Sequence, residues 1–315
     1  MSVAEFSSRV RAEMAKAVLG QDQVLEQILV AILANGHVLL EGVPGVAKTL
    51  TVRALSRVLA LHYSRVQFTP DLMPSDVIGT NVFDQRTAEF KLRTGPIFTN
   101  VLLADEINRT PPKTQASLLE AMEERQATID GTRYALPEPF LVFATQNPLE
   151  FEGTYPLPEA QQDRFLLKVL IGYPDPAVEV EVLRRVHTGF RSQNLEAAGI
   201  QPVVDAAGLA TLRAEVDTVT VEDRIFNYIQ ELISATRKSG DLLVGASPRA
   251  GIAFVLCSKA LASLRGRDFV IPDDVKDLAL PILRHRVLLR PETEIEGLTV
   301  DQVMTGIVES QVVPR

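Results

Sequence analysis

The segment Gly42-Val43-Pro44-Gly45-Val46-Ala47-Lys48-Thr49 joins a short apolar run, His37–Glu41, to a stretch of helical spacing from Lys48 to about Leu59. The run is too short for a helix and has glycine on either side, so it reads as a buried strand. A glycine-rich turn between a buried strand and a helix is the setting that a phosphate cradle requires. Glycine lets successive backbone N–H groups close around phosphate oxygens, and the helix N-terminus adds its partial positive charge. In such a cradle Lys48 reaches the β- and γ-phosphates and the Thr49 hydroxyl ligates Mg²⁺, with Leu50 also counted in the lining. The strict pattern has glycine at position 47. Alanine there implies a backbone that is already helix-like.

Downstream, Val101-Leu-Leu-Ala104 is a fully apolar strand ending in Asp105-Glu106. The carboxyl edge of an open parallel sheet is where ligands bind. Asp105 suits the Mg²⁺ shell, and Glu106 suits the general base that polarises a water for in-line attack on the γ-phosphorus. Asn147 follows another strand, Phe140–Thr145, and its amide suits orienting that water or the γ-phosphate. An Asn-Pro turn would leave the same dipeptide, so only its position relative to the other motifs favours a functional reading.

Between these motifs strands and helices alternate, which implies a parallel sheet covered on both faces. Helical spacing covers 3–18 and 21–34, and a further strand falls at Tyr63–Phe68. Two alternating stretches within 79–98 read as a hairpin, as does the region 126–138 around Asp130-Gly131. Pro111-Pro112 opens a helix that runs to about Arg125. The last strand is Phe165–Ile171. Beyond Tyr173-Pro174-Asp175-Pro176 the pattern turns helical at 176–187, 206–215, 221–238, 249–264 and 273–284, with no convincing strand. The expected architecture is therefore an α/β core over 1–173 and a smaller all-α domain over 174–315.

Composition narrows the function. The net charge of −8 disfavours broad binding to a phosphate backbone. The single cysteine, Cys257, cannot form an internal disulfide or a thiolate zinc site, which suits a reducing cytosol. No apolar run approaches the roughly 18 residues that span a bilayer, and the N-terminus lacks a secretory signal. The expectation is a cytoplasmic protein.

Taken together, Val18-Leu-Gly20-Gln21, GVPGVAKT, LLADEINRTPPKTQASLLEAMEER, ATQNP, PLPEAQQDRF and GASPRA resemble an AAA+ ATPase of the MoxR family, from about residue 8 to residue 290. The resemblance implies an AAA+ three-layer parallel-sheet nucleotide-binding core with a helical lid. It implies that Gly20 and Gln21 lie against the adenine of ATP and that Asn147 is the sensor-1 residue. It implies that Arg164 is the arginine finger that reaches a neighbouring subunit, and that Arg249 is the sensor-2 arginine, acting within or across the subunit interface. Arginine suits both positions, because its charge is permanent and its planar fork matches phosphate oxygens. The two hairpins would be the helix-2 insert and the pre-sensor-1 hairpin.

The same resemblance implies a homo-oligomeric ring, expected to be a hexamer, in which hydrolysis rotates the lid against the core and remodels a client protein. It also implies a partner with a von Willebrand factor A domain on a separate chain. A magnesium-chelatase motor subunit, a nucleic-acid translocase and a non-hydrolysing nucleotide switch stand as alternatives. His37, His62, His187 and His285 have no metal-like spacing and read as structural or solvated, and Cys257 reads as a small core residue. Arg284-His285-Arg286 with Arg290 reads as a solvated helix end. Glu120, Glu123, Glu124 and Arg125 read as an exposed helix face with local ion pairs.

Overall fold

The computed structural model describes residues 1–148 and 153–314. Helices α1 (Val3–Met14) and α2 (Asp22–Leu33) precede strand β1 (Val38–Glu41), helix α3 (Lys48–Val58) and strand β2 (Tyr63–Gln67). A short α4 (Pro74–Ile78) leads into the hairpin β3 (Gly79–Asp84) and β4 (Glu89–Thr94). Strand β5 (Val101–Asp105) and a 3₁₀ turn (Ile107–Arg109) come next. Helix α5 (Pro112–Glu124) and the hairpin β6 (Gln126–Ile129) and β7 (Thr132–Ala135) then lead to β8 (Leu141–Gln146). The short α6 (Glu159–Gln162) and β9 (Leu167–Leu170) complete this half.

The C-terminal half comprises α7 (Pro176–His187), α8 (Ala206–Asp217), α9 (Asp223–Lys238), β10 (Leu242–Val244), α10 (Pro248–Leu264) and α11 (Pro272–Leu283). It ends with β11 (Leu288–Leu289), α12 (Pro291–Ile295) and α13 (Val300–Ser310). The helical prediction needs one correction here, because β10 and β11 form a short antiparallel pair. Two or three residues carry too little alternation for a strand to be legible. The helices α12 and α13 also went unread.

Five parallel strands form one sheet in the order β2-β5-β8-β1-β9. The central strands β5, β8 and β1 are apolar up to their carboxyl ends because both faces are covered, and successive residues go to opposite sides. The edge strands β2 and β9 instead carry Arg65, Gln67 and Lys168. Val38 and Leu40, Val101 and Leu103, and Leu141 and Phe143 pack with α1, α2 and α3. Leu39, Leu102, Ala104, Val142 and Ala144 face α5. The first of these cores runs on without a break into the C-terminal helices, through Phe254, Cys257, Leu278 and Ile282. Cys257 is fully buried, and burial pushes its thiol up to about 12, as expected of a core residue.

Two histidines tie elements together. Buried His37 accepts from the Val142 N–H at Nδ1 (3.0 Å) and lies 3.1 Å from the Met122 carbonyl at Nε2, a pattern that fixes the neutral tautomer. Burial, assisted by the Arg125 charge, lowers its pKa to about 3. Burial likewise lowers His285, whose Nε2 lies 3.0 Å from the Phe165 carbonyl.

A histidine kept neutral in the fold takes up its proton only on unfolding. Stability is therefore complete above about pH 6.5 and falls as pH drops from there toward 3. His37 alone should cost about 2 kcal/mol between pH 7 and pH 5, and His285 adds to the loss in the same direction. Urea midpoints across that range check this, and H37Q should remove the His37 share of the slope. An unchanged slope in H37Q would contradict the assignment.

Candidate active site

The carboxyl ends of four adjacent strands set the site residues in a row. Register pairs Gln67 of β2 with Asp105 of β5, and Leu40 and Glu41 of β1 with Thr145 and Gln146 of β8. Gly42 follows directly after β1, and Asn147, buried, follows β8. The cradle is thus carried beside the acidic pair by strand pairing alone.

Within the cradle, Gly42 lies so close to Ile171 that a Cβ would sit 2.4 Å from its carbonyl oxygen, which excludes any larger residue. Gly45 has φ of +90°. Ala47 does not have the helix-like backbone expected from the sequence. It lies in the left-handed region at φ +64°, ψ +21° and caps the N-terminus of α3. The glycine of the strict pattern serves that conformation, and alanine holds it at a strain of about 1–2 kcal/mol. Lys48 donates from Nζ to the Gly42 carbonyl and, at 3.4 Å, to the Gln146 carbonyl. Thr49 and Leu50, half-buried, form the first turn of α3.

The acidic pair is bound to β8 by one hydroxyl. Thr145 donates to Asp105 Oδ1 (2.6 Å) and accepts from the Glu106 N–H (2.8 Å). Glu106 is itself left-handed at φ +58°, a costly conformation that turns its side chain out of the strand. That carboxylate accepts from Gln67 Nε2 at 2.6 Å and pairs with Arg109 at 3.3 Å. Arg65 of β2 donates to Asp105 Oδ2 from Nε (3.0 Å) and Nη2 (2.6 Å). Thr145, Gln67, Arg65 and Arg109 were not singled out from the sequence. A signal was present for two of them, since Arg65 and Gln67 alternate on the strand read at Tyr63–Phe68.

Gly20 and Gln21 line a cavity of about 120 Å³ with Met14, Val18, Leu19 and Thr51. Gln21 also braces the cradle, donating to the Val46 carbonyl at 2.9 Å and accepting from Thr51 at 3.3 Å. Gly20 approaches Val178 of α7 so closely that a Cβ would lie 2.9 Å from it.

Arg164 and Arg249 stand apart from this row. Arg164 pairs with Glu123 at 3.1 Å, and Arg249 pairs with the other oxygen of the same carboxylate at 3.2 Å. The helix face around Glu123 therefore does not carry merely local pairs, as its sequence suggested. Arg125 is no local partner either: it donates to the Phe140 and Asn35 carbonyls at 2.9 and 2.8 Å. Those carbonyls precede β8 and β1, so the end of α5 lies at the amino edge of the sheet. Arg164 precedes β9 at the same edge, where the Leu166 N–H donates to the His37 carbonyl.

The basic run at the end of α11 is also no solvated end. Arg286 is buried and donates to Asp163 (2.6 Å) and to the carbonyls of Phe165 (2.7 Å), Leu166 (3.1 Å) and Ile282 (2.6 Å). Arg284 donates to Asp301 at 3.1 and 2.9 Å. Both arginines take partners distant in the chain, which spacing cannot reveal. Arg290 is exposed, as are His62 and His187.

A phosphate cradle, a strand-end acid pair and a buried amide on one edge of a five-stranded parallel sheet define a nucleotide-hydrolysing site. Residues 37–167 match the family model for the ATPase family associated with various cellular activities, and residues 234–307 match the AAA lid domain. The chaperone MoxR1 of Mycobacterium tuberculosis is 42% identical, over 96% of this chain and 81% of its own length. Protein YeaC of Bacillus subtilis, described as uncharacterized, is 46% identical over 95% of this chain and 92% of its own. A crystal structure of a Cytophaga hutchinsonii protein superposes with a TM-score of 0.89 at 42% identity, covering 99% of this chain and 97% of that one. The chain belongs to the MoxR family of AAA+ ATPases, and its enzymatic activity is that of an ATPase.

No helix among the described residues is long and apolar enough to cross a membrane.

Proposed function

We propose that the protein is an Mg²⁺-dependent ATPase whose catalytic centre is completed between neighbouring protomers of a ring, and whose cycle remodels a client protein. The observation that carries this reading is the separation of the cradle from the arginine pair. Strands of four to six residues divide the two edges of the sheet. At about 3.3 Å per residue that is roughly 13–20 Å, more than an arginine side chain spans. Arg164 and Arg249 therefore serve a neighbour's γ-phosphate, whereas Lys48, Asp105, Glu106 and Asn147 serve their own protomer's nucleotide. Because Arg249 shares Glu123 with Arg164, its action is across the interface as well.

The donors present suit magnesium. Asp105 offers a carboxylate at the strand end whose Oδ1 accepts from Thr145 and whose Oδ2 is held by Arg65, so a cation there would take the place of the Arg65 charge. Mg²⁺ prefers one or two protein oxygens plus phosphate and water. Thr49 and Asp105 would hold it, and when bound it would neutralise β- and γ-phosphate oxygens. Glu106 takes the proton of the attacking water, Gln67 and Arg109 fix its carboxylate, and Asn147 orients the water. Gly20 and Gln21 are the residues assigned to the adenine.

The chaperone description of the Mycobacterium relative supports client remodelling. A hexamer and a separate partner with a von Willebrand factor A domain complete the proposal. The joint from Arg286 to Asp163 means that the lid and the Arg164 segment move together, so lid rotation would shift the finger as well.

The test is turnover per protomer against protein concentration. A site built from two protomers gives specific activity that climbs with concentration and then levels off as the oligomer forms. Constant specific activity down to a strictly monomeric range would defeat the reading.

A further inference from the structure

Glu123 binds both arginines, yet neither the composition of its helix nor its exposed face pointed to a role. We propose that Glu123 is a positioning residue for ATP hydrolysis: it holds Arg164 of the core and Arg249 of the lid as one convergent pair presented to the neighbouring protomer. This inference rests on the two-protomer reading above.

Each arginine gives one Nη2 to a different oxygen of the carboxylate, at 3.1 and 3.2 Å. Two guanidinium groups this close repel each other, and the shared anion between them is what offsets that repulsion. Arg249 is about half exposed on a long flexible stem. Without an anchor its charge would sample many rotamers rather than one direction. A lone surface ion pair contributes little, but here one carboxylate fixes two side chains from separate domains.

Both sides of the arrangement are rigid. On the Glu123 side, the end of α5 is bound to the sheet through Met122 to His37 and through Arg125 to Phe140 and Asn35. On the arginine side, Asp163 precedes the finger and accepts from Arg286 at 2.6 Å and from Ser247 at 3.3 Å. Ser247 also caps α10, accepting from the Arg249 N–H at 3.2 Å. The backbones carrying both arginines are therefore fixed to each other, and Glu123 fixes the side chains. Guanidinium groups are planar forks with several N–H donors, so an arginine bonded to Glu123 through Nη2 keeps Nε and Nη1 for phosphate oxygens.

The experiment uses E123A and E123Q in the full-length protein with steady-state ATP turnover, alone and in mixed oligomers. Misplacing a catalytic group by about 1 Å costs on the order of 10²-fold, so kcat should fall by about that factor while KM for ATP changes little. An interaction lost only in the transition state gives that split.

Mixing identifies the side on which Glu123 acts. Combined with E106Q, either variant should regain activity, because junctions form with an intact cradle from one protomer and an intact arginine pair from the other. Combined with R164A, neither should, because every donor is then defective. E106Q mixed with R164A is the control. Failure of that control overturns the two-protomer reading itself. If the control succeeds, full activity of E123A and E123Q alone overturns the role of Glu123, as does rescue by R164A or failure of rescue by E106Q.

Discussion

Glu106→Gln should stop steady-state turnover, lowering kcat by about 10²–10⁴-fold, while ATP remains bound. The amide has the size and shape of the carboxylate, so the left-handed backbone at φ +58° and the hydroxyl bridge from Thr145 persist. What is lost is the basic oxygen that accepts a proton from the attacking water. Lys48 and the backbone cradle, the groups proposed to hold the phosphates, are untouched. Phosphate release measured alongside binding of a fluorescent ATP analogue separates the two effects. Turnover within threefold of the wild type would remove Glu106 from the role of base. Parallel loss of binding would mean that the substitution had disturbed the cradle instead.

Arg164→Ala should be as severe for a different reason. A guanidinium supplied to the γ-phosphate contributes about 10³–10⁵ in rate in related phosphoryl transfers. Lysine at the same position should recover little, since a point charge cannot match two phosphate oxygens in a plane. The protein should still bind ATP, because Arg164 is held at the opposite edge of the sheet from Lys48. It should still fold, because the fixed neighbours Asp163 and Phe165 take their bonds from Arg286 and His285. Adding E106Q subunits should restore part of the activity, with a maximum at intermediate mixing ratios. Full activity of the alanine variant alone would dismiss the finger assignment.

These two variants also divide what was legible in advance from what was not. Glu106 was legible as a candidate because an apolar strand ending in an acid pair is a local pattern, and so was Lys48, since the cradle is a contiguous stretch. By contrast, Arg286 looked like a solvated charge at a helix end, yet it is buried with four hydrogen-bond partners. Nothing local marks it, because its acceptors at Asp163, Phe165 and Leu166 are brought to it by the joining of two domains. Glu123 was misread for the same reason. Ala47 shows a subtler limit. The sequence marked the departure from glycine but not the left-handed backbone, which closure of the cradle imposes.

From the chain alone came the alternating strands and helices, the cradle and the strand-end acids, because spacing along one element decides which face and which end a residue occupies. Only the folded molecule decided that Gln67, Arg109 and Thr145 hold the acids, and that the cradle and the arginines lie on opposite edges of one sheet. Strand order and domain contact determine those distances, and neither is encoded in any short stretch of residues.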